Sequence, residues 1–259
     1  MTTDTRLEAN KLVVLNEGRE VEKLMRVIGQ FITSCSSSMR GPLKSIEGLV
    51  SLLQNRNIYS DDELRMFLSH INDSTRKMEN MLDGLEQFLE NSRKNLAPQE
   101  VDLTELIQKI FHEFSAELHE HAITPRVKVE QQVKLYTDAA RLRIALCNVI
   151  ENAIRFSDPG KERKYIEVQG NVNFTNCSIN VVDNGIGIES GEESKVFDLF
   201  FRGTERSKGL GVGLYVVREV LERMGGSITV YSRRNIGSKF FLWIPNQLKP
   251  GHIKIENKV

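Results

Sequence analysis

The sequence predicts an α+β protein in two parts: an antiparallel helical hairpin that forms a four-helix bundle as a dimer, followed by an α/β sandwich. Three observations predict it. From about Leu12 to about Ser92 apolar residues recur at helical steps, with a single proline in the whole stretch. The polar segment "NLAPQEVD" at 95–102 ends that period and reads as a linker. Beyond it, short β-rich runs alternate with helical stretches.

Within the first part, Leu24, Ile28, Phe31, Cys35 and Ser38 make one seam, and Met39, Leu43, Ile46, Val50 and Leu53 make a second. After the break "QNRNIYSDDEL", the residues Leu64, Leu68, Ile71, Thr75, Met78, Leu82, Leu85 and Leu89 alternate steps of four and three. That is a heptad pattern, typical of a bundle helix. Ser60 is placed to cap this second helix, with Glu63 three residues later to answer it. Two helices alone leave part of two wide apolar seams uncovered, so a homodimer is expected, the alternative being packing against the second half of the same chain. The segments divide as a connector at 1–22, the hairpin at 23–94, a sandwich domain at 101–248 and a polar tail at 249–259.

In the second part a helix is expected over Leu103–Ala122, with further helices around 139–156 and 213–224. "RVKVE", "YIEVQGNV", "SINVVDN", "SITVYS" and "KFFLWIP" read as strands. Lysine plus arginine and aspartate plus glutamate both number 35, so nothing resembles a nucleic-acid footprint. The cysteines Cys35, Cys147 and Cys177 are odd in number and widely spaced, which suits reduced thiols and a cytoplasmic setting. "LVVL" at 12–15 is too short for a membrane span.

Four pieces of the second part carry chemistry: "NVIENAIRFS", "DNGIG", "VFDLFFRG" and "GLGVGL". Asn148 and Asn152 are four apart on a helix and share a face with Arg155. Amide oxygens and a guanidinium there suit a magnesium ion and the phosphates it carries. A solvated polar face accounts for the same three residues. Asp183 ends a buried strand pattern and is a good acceptor for an exocyclic amine, while Gly185 and Gly187 allow close backbone approach. A tight turn without a ligand is the alternative for the same residues. Gly209, Gly211 and Gly213 precede a helical pattern whose first amides suit phosphate oxygens. Leu214 occupies the sixth place of that run, so it is not the dinucleotide fingerprint, and no GxxxxGK[ST] occurs.

In this order and spacing, residues from about 20 to 246 resemble the transmitter core of sensor histidine kinases, a dimerisation hairpin joined to an ATP-binding domain of the gyrase and Hsp90 type. Asn148, Asn152, Ala153, Arg155 and Phe156 match the N box, and Asp183, Gly185 and Gly187 the first glycine box. Phe197 and Phe200 match the phenylalanine box, Gly209, Gly211 and Gly213 the second glycine box, and Gly237-Ser238 the last. The resemblance implies that the domain at 101–248 binds ATP and magnesium. It implies that Asn152 holds the metal, Asp183 reads adenine, Arg155 reaches the phosphates, Phe156 lines the base pocket and 202–210 form a lid.

The acceptor helix departs from the family. Phe31, Ser36, Arg40, Pro42 and Leu43 match its frame, yet Ser37 stands where the family has the phosphate-accepting histidine and Ser38 where it has the following acid. A hydroxyl is a poor nucleophile without a base, and the neighbour that would supply one is lost too. His70 lies about 11 residues, roughly 16 Å, from the level expected to face Ser37, too far to substitute. His112, His119 and His121 read as surface residues. The expectation is therefore a magnesium- and ATP-binding pseudokinase that dimerises and acts on a response regulator or a partner histidine kinase. The alternatives are a kinase directed at serine, either Ser37 or a partner, and an adaptor that no longer needs ATP.

Overall fold

The structure is a computed structural model that describes residues 25, 29, 33, 39–55, 59–93, 95–203 and 211–248. Phe31, Ser36, Ser37, Ser38 and Gly209 lie outside the described residues, as do the connector at 1–22, the tail at 249–259 and the seam from Leu24 to Ser38. The chain divides into two compact units, Met1–Leu85 and Glu86–Val259. None of the described helices is long and apolar enough to cross a membrane.

In the first unit residues 39–55 form helix α1, and α2 runs from Asp61 to Arg93 across the unit boundary. Ser60 and Glu63 form the expected reciprocal cap: the Ser60 amide donates to Glu63 Oε2 at 3.0 Å, and the Glu63 amide donates to Ser60 Oγ at 3.3 Å. Tyr59 precedes this cap. Its hydroxyl donates back to the Leu52 carbonyl, and its ring meets Phe67 edge-on at 5.6 Å. The α2 seam separates into two flanks. Leu64, Phe67, Ile71, Ser74 and Met78 are covered or partly covered, whereas Leu68 and Leu82 remain 60% and 56% exposed. On α1, Met39, Ile46, Leu49 and Leu53 are partly covered, while Leu43 and Val50 are exposed.

Pro98–Val101, expected as linker, form strand β1, paired antiparallel with β3 (Leu135–Asp138). Proline is tolerated there because it begins a strand at a sheet edge, where no partner needs its missing amide. The helix expected from Leu103 to Ala122 is broken at Phe114 (φ −90, ψ 16) into α3 (Leu103–Glu113) and α4 (Ser115–Glu120). Asp102 caps α3, accepting from the Glu105 amide at 2.9 Å.

The remaining strands are β2 (Ile123–Gln131), β4 (Lys164–Val172), β5 (Asn176–Asp183), β6 (Ser227–Arg233) and β7 (Gly237–Pro245). They form one sheet in the order β2-β4-β5-β7-β6, parallel between β2 and β4 and antiparallel elsewhere. Burial alternates along β4 and β5, so one face of the sheet is covered. Over it lie α5 (Ala139–Arg155) and α6 (Gly213–Arg223) together with α3. Leu142, Leu146, Ile150 and Leu221 from the helices and Ile166, Ile179, Leu242 and Ile244 from the sheet are fully buried between the layers. Cys177 is buried among them, and burial pushes its thiol up to about 12, as it pushes Cys147 to about 11.

The start of α5 is a clamp. Asp138 caps it, accepting from the Arg141 amide at 3.0 Å, while its second oxygen takes the Arg141 guanidinium at 2.5 Å and the Ala97 amide at 3.1 Å. Arg141 also donates to the Asn95 carbonyl at 3.3 Å, tying residues 95–97 to the helix that supplies the candidate site.

Candidate functional site

A cavity of about 690 Å³ opens between the last turn of α5, the turn after β5, the start of β7 and the start of α6. Asn152, Phe156, Asp183, Gly187 and Leu214, all expected from the sequence, line it, and so does Ser238. Its apolar walls include Ala153, Ile186, Ile188, Val196 and Phe240.

Asp183 ends β5 and is 9% exposed. Its Oδ1 accepts from the Gly185 amide at 2.8 Å and the Ser238 amide at 3.3 Å. Oδ2 makes no hydrogen bond to a described residue, which leaves an acceptor beside the cavity. Burial pushes this carboxyl up to about 6; the two amides and the Lys161 ammonium pull the other way but do not cancel it.

Asn148 and Asn152 take their places from the pitch of α5. The Asn148 amide nitrogen donates to the Ile144 carbonyl at 2.9 Å, which leaves its Oδ1 as a free acceptor. That oxygen lies against the first residue of α6, since a Cβ on Gly213 would come within 2.9 Å of it. Asn152 and Leu214 line the cavity, so the opening turn of α6 reaches it, while Asn148 stands against Gly213 and does not line it.

Two glycines are required by conformation. Gly187 has φ +70, and a Cβ there would lie 2.2 Å from the Arg233 carbonyl oxygen. Gly211 has φ +71 and sits 2.3 Å, by the same measure, from the Phe201 carbonyl oxygen, where the Phe200 amide donates to the Gly211 carbonyl at 2.9 Å. Gly185 packs on the Phe156 carbonyl.

Other expected residues stand back from the cavity. Phe197 is buried and meets Phe240 edge-on at 6.4 Å, so it supports a wall residue. The Arg155 guanidinium pairs with Glu151 one turn back on α5 and does not line the cavity. His112 and His119 are exposed and His121 partly covered.

The sequence did not point to Glu189, Glu192, Arg234 and Asn235, which line the outer part of the cavity, with Arg234 paired to Glu189. Nor did it point to Lys161. That ammonium donates to the carbonyls of Asn184 at 2.7 Å, Gly185 at 3.3 Å and Ile236 at 3.0 Å, clasping the turn after β5 to the turn between β6 and β7. No local pattern announces such a lysine, because its three acceptors come from main chain 23 to 75 residues away.

Residues 137–248 match the family described as Histidine kinase-, DNA gyrase B-, and HSP90-like ATPase. Over a longer span, the chain is similar to the sensor protein kinase WalK of Staphylococcus haemolyticus (strain JCSC1435), at 28% identity over 245 residues. That alignment covers 90% of this chain and 39% of the relative's length. Among solved structures, the histidine kinase ThkA in complex with the response regulator protein TrrA matches with a TM-score of 0.74 at 21% identity, covering 92% of this chain and 67% of that one. The Acinetobacter baumannii histidine kinase AdeS matches with a TM-score of 0.65 at 20% identity, covering 82% and 98%. At those identities the likeness fixes the fold. The span that matches this ATPase family follows a helical segment here.

Proposed function

We propose that this chain is a signalling protein of the sensor histidine kinase type that binds magnesium-ATP but cannot phosphorylate itself on the usual histidine. The observation that carries the nucleotide reading is Asp183, with one oxygen held by two backbone amides and the other facing a cavity of nucleotide size. The exocyclic amine of adenine donates to Oδ2, and Phe156 with the isoleucine walls encloses the base. The residues fit a magnesium ion that arrives with the phosphates: Asn152 holds it, Asn148 Oδ1 stands close by, and phosphate oxygens and water complete its shell. The ion's role is to carry and orient the triphosphate; Gly211 and Gly213 bring backbone close to it.

Ser37 and Ser38 supply neither a nucleophile of the family's kind nor a base to activate one. The protein then works by binding, as a pseudokinase dimer that acts on a response regulator or on a partner histidine kinase in the cytoplasm. Labelled ATP with magnesium, in a filter assay against Asn152→Ala, is the test. The wild-type chain is expected to retain nucleotide, the variant to lose at least tenfold in affinity, and the chain alone to take no acid-labile label. Equal retention by both proteins would sink the metal assignment. Acid-stable label would support a serine-directed kinase instead.

A further inference from the structure

Ser232, on β6, lies outside every stretch that pointed to the site, yet its hydroxyl meets three groups around the cavity floor. It accepts from the Ile188 amide at 2.8 Å, donates to the Gly237 carbonyl at 2.9 Å and lies 2.9 Å from Ser238 Oγ. A carbonyl oxygen only accepts, so the single hydrogen of Ser232 is used on Gly237. The hydrogen between the two hydroxyls must therefore come from Ser238. Ser238 is buried, lines the cavity and pairs in register with Asp183. With its hydrogen turned back to Ser232, it offers the cavity lone pairs only, at the strand position paired with Asp183.

We propose that Ser232 is a positioning residue for base selection: it fixes the Ser238 hydroxyl as an acceptor, so that the deep end of the cavity takes a 6-amino purine and rejects a 6-oxo purine. The proposal rests on the purine-nucleotide reading of this cavity and deepens it. A 6-amino group has two hydrogens to give to these acceptors. A 6-oxo group brings a third acceptor, and a desolvated acceptor without a donor is costly. Sites that match hydrogen-bond pattern discriminate far better than sites that match size. Without Ser232 the Ser238 hydrogen is free to swing into the cavity and meet a 6-oxo oxygen.

The test is a titration of the full chain with the magnesium salts of ATP and inosine triphosphate at pH 8. Wild type is expected to prefer ATP, and Ser232→Ala to lower that preference about five- to tenfold, one hydrogen bond's worth, mainly by admitting the inosine nucleotide. Ser232→Thr keeps the hydroxyl and should restore the preference. The double variant Ser232→Ala/Ser238→Ala, which has no hydrogen to donate, should reject the inosine nucleotide again. If Ser232→Ala does not fold, Ser232→Cys, with a weaker donor in a similar volume, is read by the same ratio. Weakening of both nucleotides by one common factor overturns the proposal, since it assigns Ser232 a purely structural role. A wild-type chain that binds ATP and shows no preference overturns base selection while leaving the nucleotide site standing. A wild-type chain that binds neither overturns both.

Discussion

The Asp183 carboxyl is buried, and burial holds it up at about 6 against an ordinary value of 3.8. The folded state therefore binds a proton more readily than the unfolded chain does. Stability without nucleotide falls as pH rises from about 4 to about 6, and the cost of the ionised form, about 3 kcal/mol at most, is fully present above that window. Nucleotide binding has the opposite sign: Oδ1 accepts from two amides, so a proton goes to Oδ2 and turns that oxygen into a donor facing the amine, and affinity is expected to weaken as pH drops through about 6. Asp183→Asn separates the two effects. Its amide oxygen can keep the Gly185 and Ser238 amides, which turns an NH2 toward the base, where donor would face donor. The variant is expected to lose at least 100-fold in ATP affinity by calorimetry, yet to melt higher than wild type at pH 7 and not at pH 4. A variant that melts lower at pH 7 would refute the burial account. Asp183, Asn152 and Phe156 were legible because each sits in a short local pattern. Ser232 and Lys161 were not, because what they bond lies across β6, β7 and the turns, and Arg155 stands back from the cavity, paired with its helical neighbour Glu151.

At the scale of elements, the first turn of α5 bears on the site at its other end. Asp138 and Arg141 are 4% and 6% exposed and paired at 2.5 Å. Burial opposes the Asp138 charge, but the Arg141 and Ala97 amides and the Arg141 guanidinium outweigh it, so the carboxyl lies below its ordinary value. This pair contributes stability above the ordinary carboxylate range and loses it as pH falls through the lowered value, the reverse of Asp183. Removing one partner strands a buried charge. Asp138→Ala is expected to cost about 3–5 kcal/mol in urea unfolding at pH 7, and Arg141→Met a similar amount; a loss below about 1 kcal/mol would show the pair to be solvent-screened. The same corner shows where pattern reading ends. β4, β5, β6 and β7 announce themselves by alternation, and α5 and α6 by period. β1 is four residues of which three are exposed, so its strand character comes from pairing with β3, about forty residues downstream, and Pro98 argued against it. The break at Phe114 is equally silent, since the apolar period of α3 carries on to Leu118 across it.

For the whole molecule, the exposed apolar stripe of the first unit is the feature that a single chain leaves unfinished. Leu43 and Val50 on α1 are seven residues apart, and so are Leu68, Thr75 and Leu82 on α2, each leucine and valine being at least 39% exposed. A spacing of seven keeps side chains on one flank of a helix over many turns, as a bundle partner demands. Thr75 does not spoil the flank, because its hydroxyl donates to the Ile71 carbonyl at 3.1 Å. Covering each of these side chains with a second copy contributes about 1–2 kcal/mol, doubled by symmetry. The leucines are exposed in the single chain, so replacing them leaves the covered flank of Leu64, Phe67, Ile71 and Met78 untouched. Leu68→Glu/Leu82→Glu is therefore expected to fold, to bind ATP as wild type does, and to sediment as a monomer at concentrations where wild type is a dimer, with association weakened at least 100-fold. Sedimentation equilibrium reads this directly. A variant that stays dimeric would move the interface off this stripe, and a wild-type chain that is monomeric throughout would mean that the stripe is covered by something other than a second copy.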